Sequence, residues 1–142
     1  MPASYCHNAL HIVFSTCNRV GWLKEPLGKE MHSYLAGIIN NLKGRAIQIG
    51  GVDDHVHILC LAPKEISLVE FMTKVKANSS KWFRAQTKLD FSWQDGYAAF
   101  SVSKSQIPMV IEYINNQDEH HYHTSSIAEF DELLKRHRDK SE

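Results

Sequence analysis

Cysteine is scarce and unpatterned: Cys6, Cys17 and Cys60 are odd in number and form no CxxC pair. That argues against a disulfide framework or a cysteine-based zinc knuckle. Long apolar runs are missing too. No stretch approaches the roughly 18 apolar residues that a membrane-spanning helix needs. The opening MPASYCHNAL has neither the basic nor the apolar region of a secretory signal. A reduced, cytoplasmic setting without membrane contact is the expectation. Nor does one sign of charge dominate: 16 Lys+Arg face 16 Asp+Glu, a formal net charge of zero. Proteins held by many phosphate contacts are usually basic, so any nucleic-acid contact here has to come from a local face. Internal repeats, low-complexity tracts and linker-like runs are also lacking. Residues 1–142 therefore read as one domain, long enough to bury a core.

What the chain has instead is histidine in tight groups: His55 with His57, and His120 with His121, His123 close behind. Their placement follows from the local patterns. ALHIVFST, residues 9–16, is apolar and β-branched enough for a strand. Leu27, Met31, Tyr34, Leu35, Ile38 and Leu42 recur at helical spacing over 27–43, and Gly44 follows where a left-handed C-cap residue is expected. Residues 46–52 and 55–62 read as strands joined by an Asp53-Asp54 turn. Ser67-Leu-Val-Glu70 is a capping-box pattern, after which Leu68, Phe71, Met72, Val75, Ser79 and Trp82 trace one helical face. GYAAFSVS, residues 96–103, suggests a fourth strand. A helix over about 105–118 carries Pro108 in its first turn, where the missing N–H does no harm. A last amphipathic helix, about 126–138, presents Ile127, Phe130, Leu133 and Leu134. The order βαββαβ plus two helices predicts an α+β, ferredoxin-like (split βαβ) antiparallel sheet.

Side chains alternate along a strand, so His55 and His57 leave by one face while Val56, Ile58 and Cys60 point to the other. Two imidazoles whose Cα atoms lie about 7 Å apart can converge on one divalent cation, with a third ligand from elsewhere. Alone, HxH is common and more readily describes two half-exposed histidines on an open sheet. In Tyr113-Ile-Asn-Asn-Gln117 the tyrosine and the glutamine are four apart and share a helical face. A glutamine oxygen is a hard ligand suited to Mg²⁺ or Mn²⁺. A phenol on that face could attack a phosphate held by the metal, given a neighbouring cation or base, because a tyrosine's reference pKa is about 10. Taken alone, the pair also fits a core aromatic and a surface amide.

HVH within DDHVHILCLAP, followed by VIEYINNQDEHH after an FSVSKS approach, resembles the HUH single-tyrosine transposases of small bacterial and archaeal insertion sequences, relatives of the REP-associated tyrosine transposases. The likeness extends over nearly the whole chain. It implies that His55, His57 and Gln117 bind Mg²⁺ or Mn²⁺ and that Tyr113 is the nucleophile. It also implies cleavage and rejoining of single-stranded DNA through a 5′-phosphotyrosine and a free 3′-hydroxyl, at imperfect hairpins near an element's ends. A homodimer in which the tyrosine helix of one subunit serves the histidines of the other is implied as well.

Other residues read as structural. Tyr97 fits a packed or edge-strand role and Tyr122 lacks a YxxxQ partner. His120 and His121 suit a polar helix end, with a place near the metal or on a phosphate as the alternative, and Asp53 and Asp54 suit a turn, with a carboxylate near the metal as the second reading. Lys74, Lys76, Lys81 and Arg84, with Trp82 among them, suit a solvated helix face, or phosphate contacts with one stacked base. Two rival functions remain: a non-catalytic single-strand binder on a ferredoxin-like sheet, which usually exposes aromatics there, and a metal-dependent phosphoesterase with water as nucleophile.

Overall fold

The computed structural model describes residues 4–116. Among them, four strands form one antiparallel sheet: β1 (Ala9–Ser15), β2 (Arg45–Val52), β3 (His55–Leu61) and β4 (Ala98–Ser101), in the order β2-β3-β1-β4. With α1 (Leu27–Asn41) between β1 and β2, and α2 (Leu68–Thr87) between β3 and β4, this is the ferredoxin-like split βαβ. A third helix, α3 (Ile107–Asn115), follows β4. The expected helix at 126–138 lies outside the described residues.

The two central strands, β1 and β3, are buried on both faces, and so they read as near-continuous apolar runs. One face carries Leu10, Ile12, Phe14, Val56, Ile58 and Cys60 into the main core, against Met31, Leu35 and Ile39 of α1 and Phe71, Met72 and Val75 of α2. Burial there pushes the Cys60 thiol up to about 12, because low dielectric disfavours the thiolate. The opposite face carries Ala9 and Leu59, which pack with Val102 and Ile114. Ile107, Val110 and Ile111 extend that smaller core along α3 at helical spacing.

Several local expectations shift. Ser67 does cap α2, its hydroxyl accepting from the Glu70 N–H at 3.1 Å, but the Glu70 carboxylate turns outward to Lys74 at 3.3 Å. Phe83 rather than Trp82 closes the buried face of α2; Trp82 is half-buried and stacks on Tyr34 at 4.5 Å. The left-handed residue after α1 is Lys43 (φ 72°), not Gly44. Gly44 is needed for another reason: a Cβ there would stand 2.8 Å from the Leu61 carbonyl oxygen. β4 is shorter than the 96–103 expected, and Lys104–Gln106 form a separate 3₁₀ turn before α3. The segment between α2 and β4 contributes Phe91 and Trp93 to the core, with the Trp93 indole N–H donating to Ser79 Oγ at 2.9 Å.

Candidate active site

β3 turns His55 and His57 to the α3 side of the sheet, where they are 4% and 1% exposed. Their rings are T-shaped to one another with centroids 5.2 Å apart. Each has its Nδ1 engaged. His55 Nδ1 lies 2.8 Å from Asp54 Oδ1, so the turn that starts β3 also orients its first imidazole. His57 Nδ1 lies 2.9 Å from Nε2 of His11, a residue 2% exposed on β1. His11 pairs across the strands with Leu59, and His57 pairs with Val13, so the two histidines are diagonal neighbours on one face. Diagonal positions remain within reach of ring side chains.

Tyr113 reaches this group from α3. Its ring is edge-on to His57 at 5.6 Å and to His11 at 5.9 Å, measured between centroids. Two features of β2 allow the helix to come this close. Gly50 pairs with His57, and a Cβ on it would stand 2.8 Å from both Cγ2 and the backbone oxygen of Ile114, the residue after Tyr113. The Gln48 amide donates to Asn115 Oδ1 at 2.6 Å, tying the end of α3 to the same strand.

The structure thus brings together three of the four residues singled out: His55, His57 and Tyr113. Gln117, the fourth, lies outside the described residues, as do His120, His121, Tyr122 and His123. Among the described residues, no group of three or more His, Cys, Asp or Glu side chains could by itself hold a metal ion. The two imidazoles of β3 still suit a divalent ion. Both are turned to one side, and both are fixed through Nδ1, which is how metal-ligating histidines are ordinarily oriented. Tyr113 packs against the histidines of its own chain, whereas the resemblance implies service to a partner's.

Tyr97 packs against the main core on the α1 and α2 side of the sheet, away from the histidines. The basic residues of α2 are largely committed to structure. Lys76 donates to the Gln94 and Gly96 carbonyls at 2.6 and 2.8 Å, Arg84 to the Phe91 carbonyl at 3.0 Å, and Lys74 pairs with Glu70. Burial lowers the pKa of Lys76, with the Asp95 carboxylate opposing the shift. Sequence reasoning missed His11, the orienting role of Asp54, and Gly50. The signal for His11 was a titratable side chain in the middle of a strand otherwise as apolar as ALHIVF. Gly50 carried no such signal.

The fold and the site define a ferredoxin-like domain with a tyrosine-bearing helix laid over a histidine-rich sheet face. Solved structures share this fold, two of them as follows. A protein of Deinococcus radiodurans assigned as a transposase matches with a TM-score of 0.66 at 19% identity, covering 82% of this chain and 96% of that one. A REP-associated tyrosine transposase bound to a REP hairpin matches with a TM-score of 0.63 at 13% identity, covering 85% and 73%. No curated protein matches the chain. Residues 4–117 match the family described as "Transposase IS200 like", and the chain belongs to that family. It is accordingly a DNA transposase by family. Among the described residues no helix is long and apolar enough to cross a membrane.

Proposed function

We propose that this transposase cuts and rejoins single-stranded DNA, with Tyr113 as nucleophile and a divalent ion, Mg²⁺ or Mn²⁺, held by His55, His57 and Gln117. The observation that carries the reading is the packing of the Tyr113 ring edge-on to His57, on the sheet face opposite the main core. A phenol and a pair of oriented imidazoles, supplied by separate elements, are the parts that covalent phosphoryl transfer requires.

In this reading the Tyr113 oxygen attacks the scissile phosphorus in line. A phenolic O–P bond forms, the bond from phosphorus to the 3′-oxygen breaks, and that oxygen leaves as a hydroxyl after taking up a proton. The phenol proton passes to solvent or a neighbouring base. The 5′-phosphotyrosine keeps the energy of the broken phosphodiester, so a 3′-hydroxyl on another strand reverses the step without ATP. When bound, the divalent ion supplies Lewis-acid polarisation of the phosphate oxygens. His55 and His57 would hold it through Nε2, since Nδ1 of each is engaged by Asp54 or His11. Asp54 fixes one ring, and the close seat of α3 on Gly50 positions the phenol.

The substrate reading, imperfect hairpins at an element's ends, is supported by the hairpin-bound relative. A stiff duplex resists bending its backbone into a site between a helix and a sheet, which favours a single-stranded scissile region. A homodimer would carry two such sites, each with its tyrosine and histidines from one chain. The rival binder is disfavoured because α3 covers the sheet face such proteins expose. The test is an end-labelled single-stranded oligonucleotide carrying a hairpin, run on a denaturing gel. Wild type forms a covalent adduct and Tyr113→Phe forms none while still binding the hairpin. An adduct that persists in Tyr113→Phe refutes the assignment, and cleavage without any adduct favours a phosphoesterase.

A further inference from the structure

We propose that His11 is a positioning residue that holds His57 in its Nδ1–H tautomer and so presents Nε2 as the coordinating nitrogen. This rests on the reading of His57 as a metal ligand.

A neutral imidazole carries one N–H and one lone pair. In the 2.9 Å contact between His11 Nε2 and His57 Nδ1, one nitrogen must donate and the other accept. If His11 donated, the proton of His57 would sit on Nε2 and its only lone pair would point at His11. His57 could then not bind a metal through Nε2. Coordination requires the other arrangement: His57 Nδ1–H donates to the lone pair of His11 Nε2, and His11 carries its own proton on Nδ1. Both rings are almost wholly buried, so neither is readily turned or solvated to escape the choice.

The strand register makes the contact durable. β1 and β3 are the central strands, joined over seven residue pairs from Ala9↔Leu61 to Ser15↔His55, and their relative position cannot slip without turning the main core outward. The rings of Phe100 on β4 and Tyr113 on α3 flank His11 at 6.4 and 5.9 Å. His55 is served differently, by the Asp54 carboxylate, which can only accept. The two imidazoles are thus oriented by unlike partners, one able to act only as acceptor and the other able to adopt either role. His11 is the place where the site's tautomer is decided.

The experiment uses the full chain with two readouts. Long-range ¹H–¹⁵N correlation of the imidazoles in metal-free protein reads the tautomers, and Mn²⁺ binding without DNA reads the affinity. In wild type, His57 is expected as the Nδ1–H form. His11→Leu, which keeps bulk but has no lone pair, is expected to weaken Mn²⁺ binding about 10- to 100-fold, the range for loss of a residue that orients a ligand. His11→Gln can turn a carbonyl oxygen toward His57 Nδ1 and is expected to restore most of the affinity. An Nε2–H form of His57 in wild type overturns the proposal, and this holds even where the leucine variant does not fold. Wild-type Mn²⁺ affinity in folded His11→Leu overturns it as well. Undiminished Mn²⁺ binding by His57→Ala instead removes the metal-site reading on which the proposal stands, a separate failure.

Discussion

Gly50→Ala tests the geometry of the site without touching any reactive group. Gly50 does not use the left-handed freedom of glycine; its role is to leave room. An added Cβ would lie 2.8 Å from Ile114 Cγ2 and from the Ile114 carbonyl oxygen, where ordinary contact begins at 3.4 Å. A methyl could be relieved by a rotamer change, but a backbone oxygen moves only with its helix. We expect α3 to withdraw by about 0.6 Å or more, at an overpacking cost of about 1–3 kcal/mol. For a domain of this size that lowers Tm by roughly 3–10 °C. The larger effect falls on chemistry. Ile114 adjoins Tyr113, so the phenol shifts with the helix, and misplacement approaching 1 Å costs on the order of 10- to 100-fold in rate. Single-turnover cleavage of the labelled hairpin oligonucleotide, with thermal melting alongside, reads both. Adding Ile114→Leu removes the Cγ2 clash but not the oxygen clash, so it should restore part of the loss only. Gly37→Ala is the control, since a Cβ there meets nothing within 4 Å, and Ala in an exposed helix should stabilise by about 0.5–1 kcal/mol. Wild-type cleavage and melting in Gly50→Ala would refute the packing of α3 on its own chain's sheet.

Three further outcomes follow from the same structure. Cleavage should stop with EDTA and return with Mg²⁺ or Mn²⁺, and His57→Ala should stay inactive after metal is restored, because too few fixed donors remain; efficient cleavage by metal-free protein counts against the site. Because Tyr113 packs on its own chain's His57, mixing Tyr113→Phe with His57→Ala subunits should give no activity; recovery of up to about half of wild type per mixed dimer would show that the helix crosses to the partner. A thiol reagent at pH 8 should modify exposed Cys6 in native protein and Cys60 only after unfolding. The pKa of Cys60 is raised on folding, so its stabilising contribution is complete below the ordinary thiol pKa of about 8.5. That contribution declines as pH rises from there toward 12. Rapid native labelling of Cys60 would contradict its burial.

The sequence determined the alternation of β3, and with it the fact that His55 and His57 share a face, because a strand's side-chain period of two leaves no other arrangement. It determined the element order and the Ser67 cap, both of them set by contacts within a few residues. It pointed to Tyr113 through a motif. It left open which face α3 would cover, and it gave no sign that β2 contains a bulge. Ala46 pairs with Cys60 and Gln48 with Leu59, so Ile47 is an extra residue, and every later side chain of β2 changes face. The bulge sends Ile49 to the main core, places Gly50 beneath Ile114, and turns Gln48 toward Asn115. Without it, the α3 side of β2 would carry Ile49 where the helix now comes closest. His11 joined the site for a similar reason. Its neighbour His57 is 46 residues away in sequence, and only the register of β1 on β3 makes them diagonal partners. Local patterns report which way a side chain points along its own element. Which side chains meet is decided by pairing register and helix docking, and these depend on how the whole apolar set fits together.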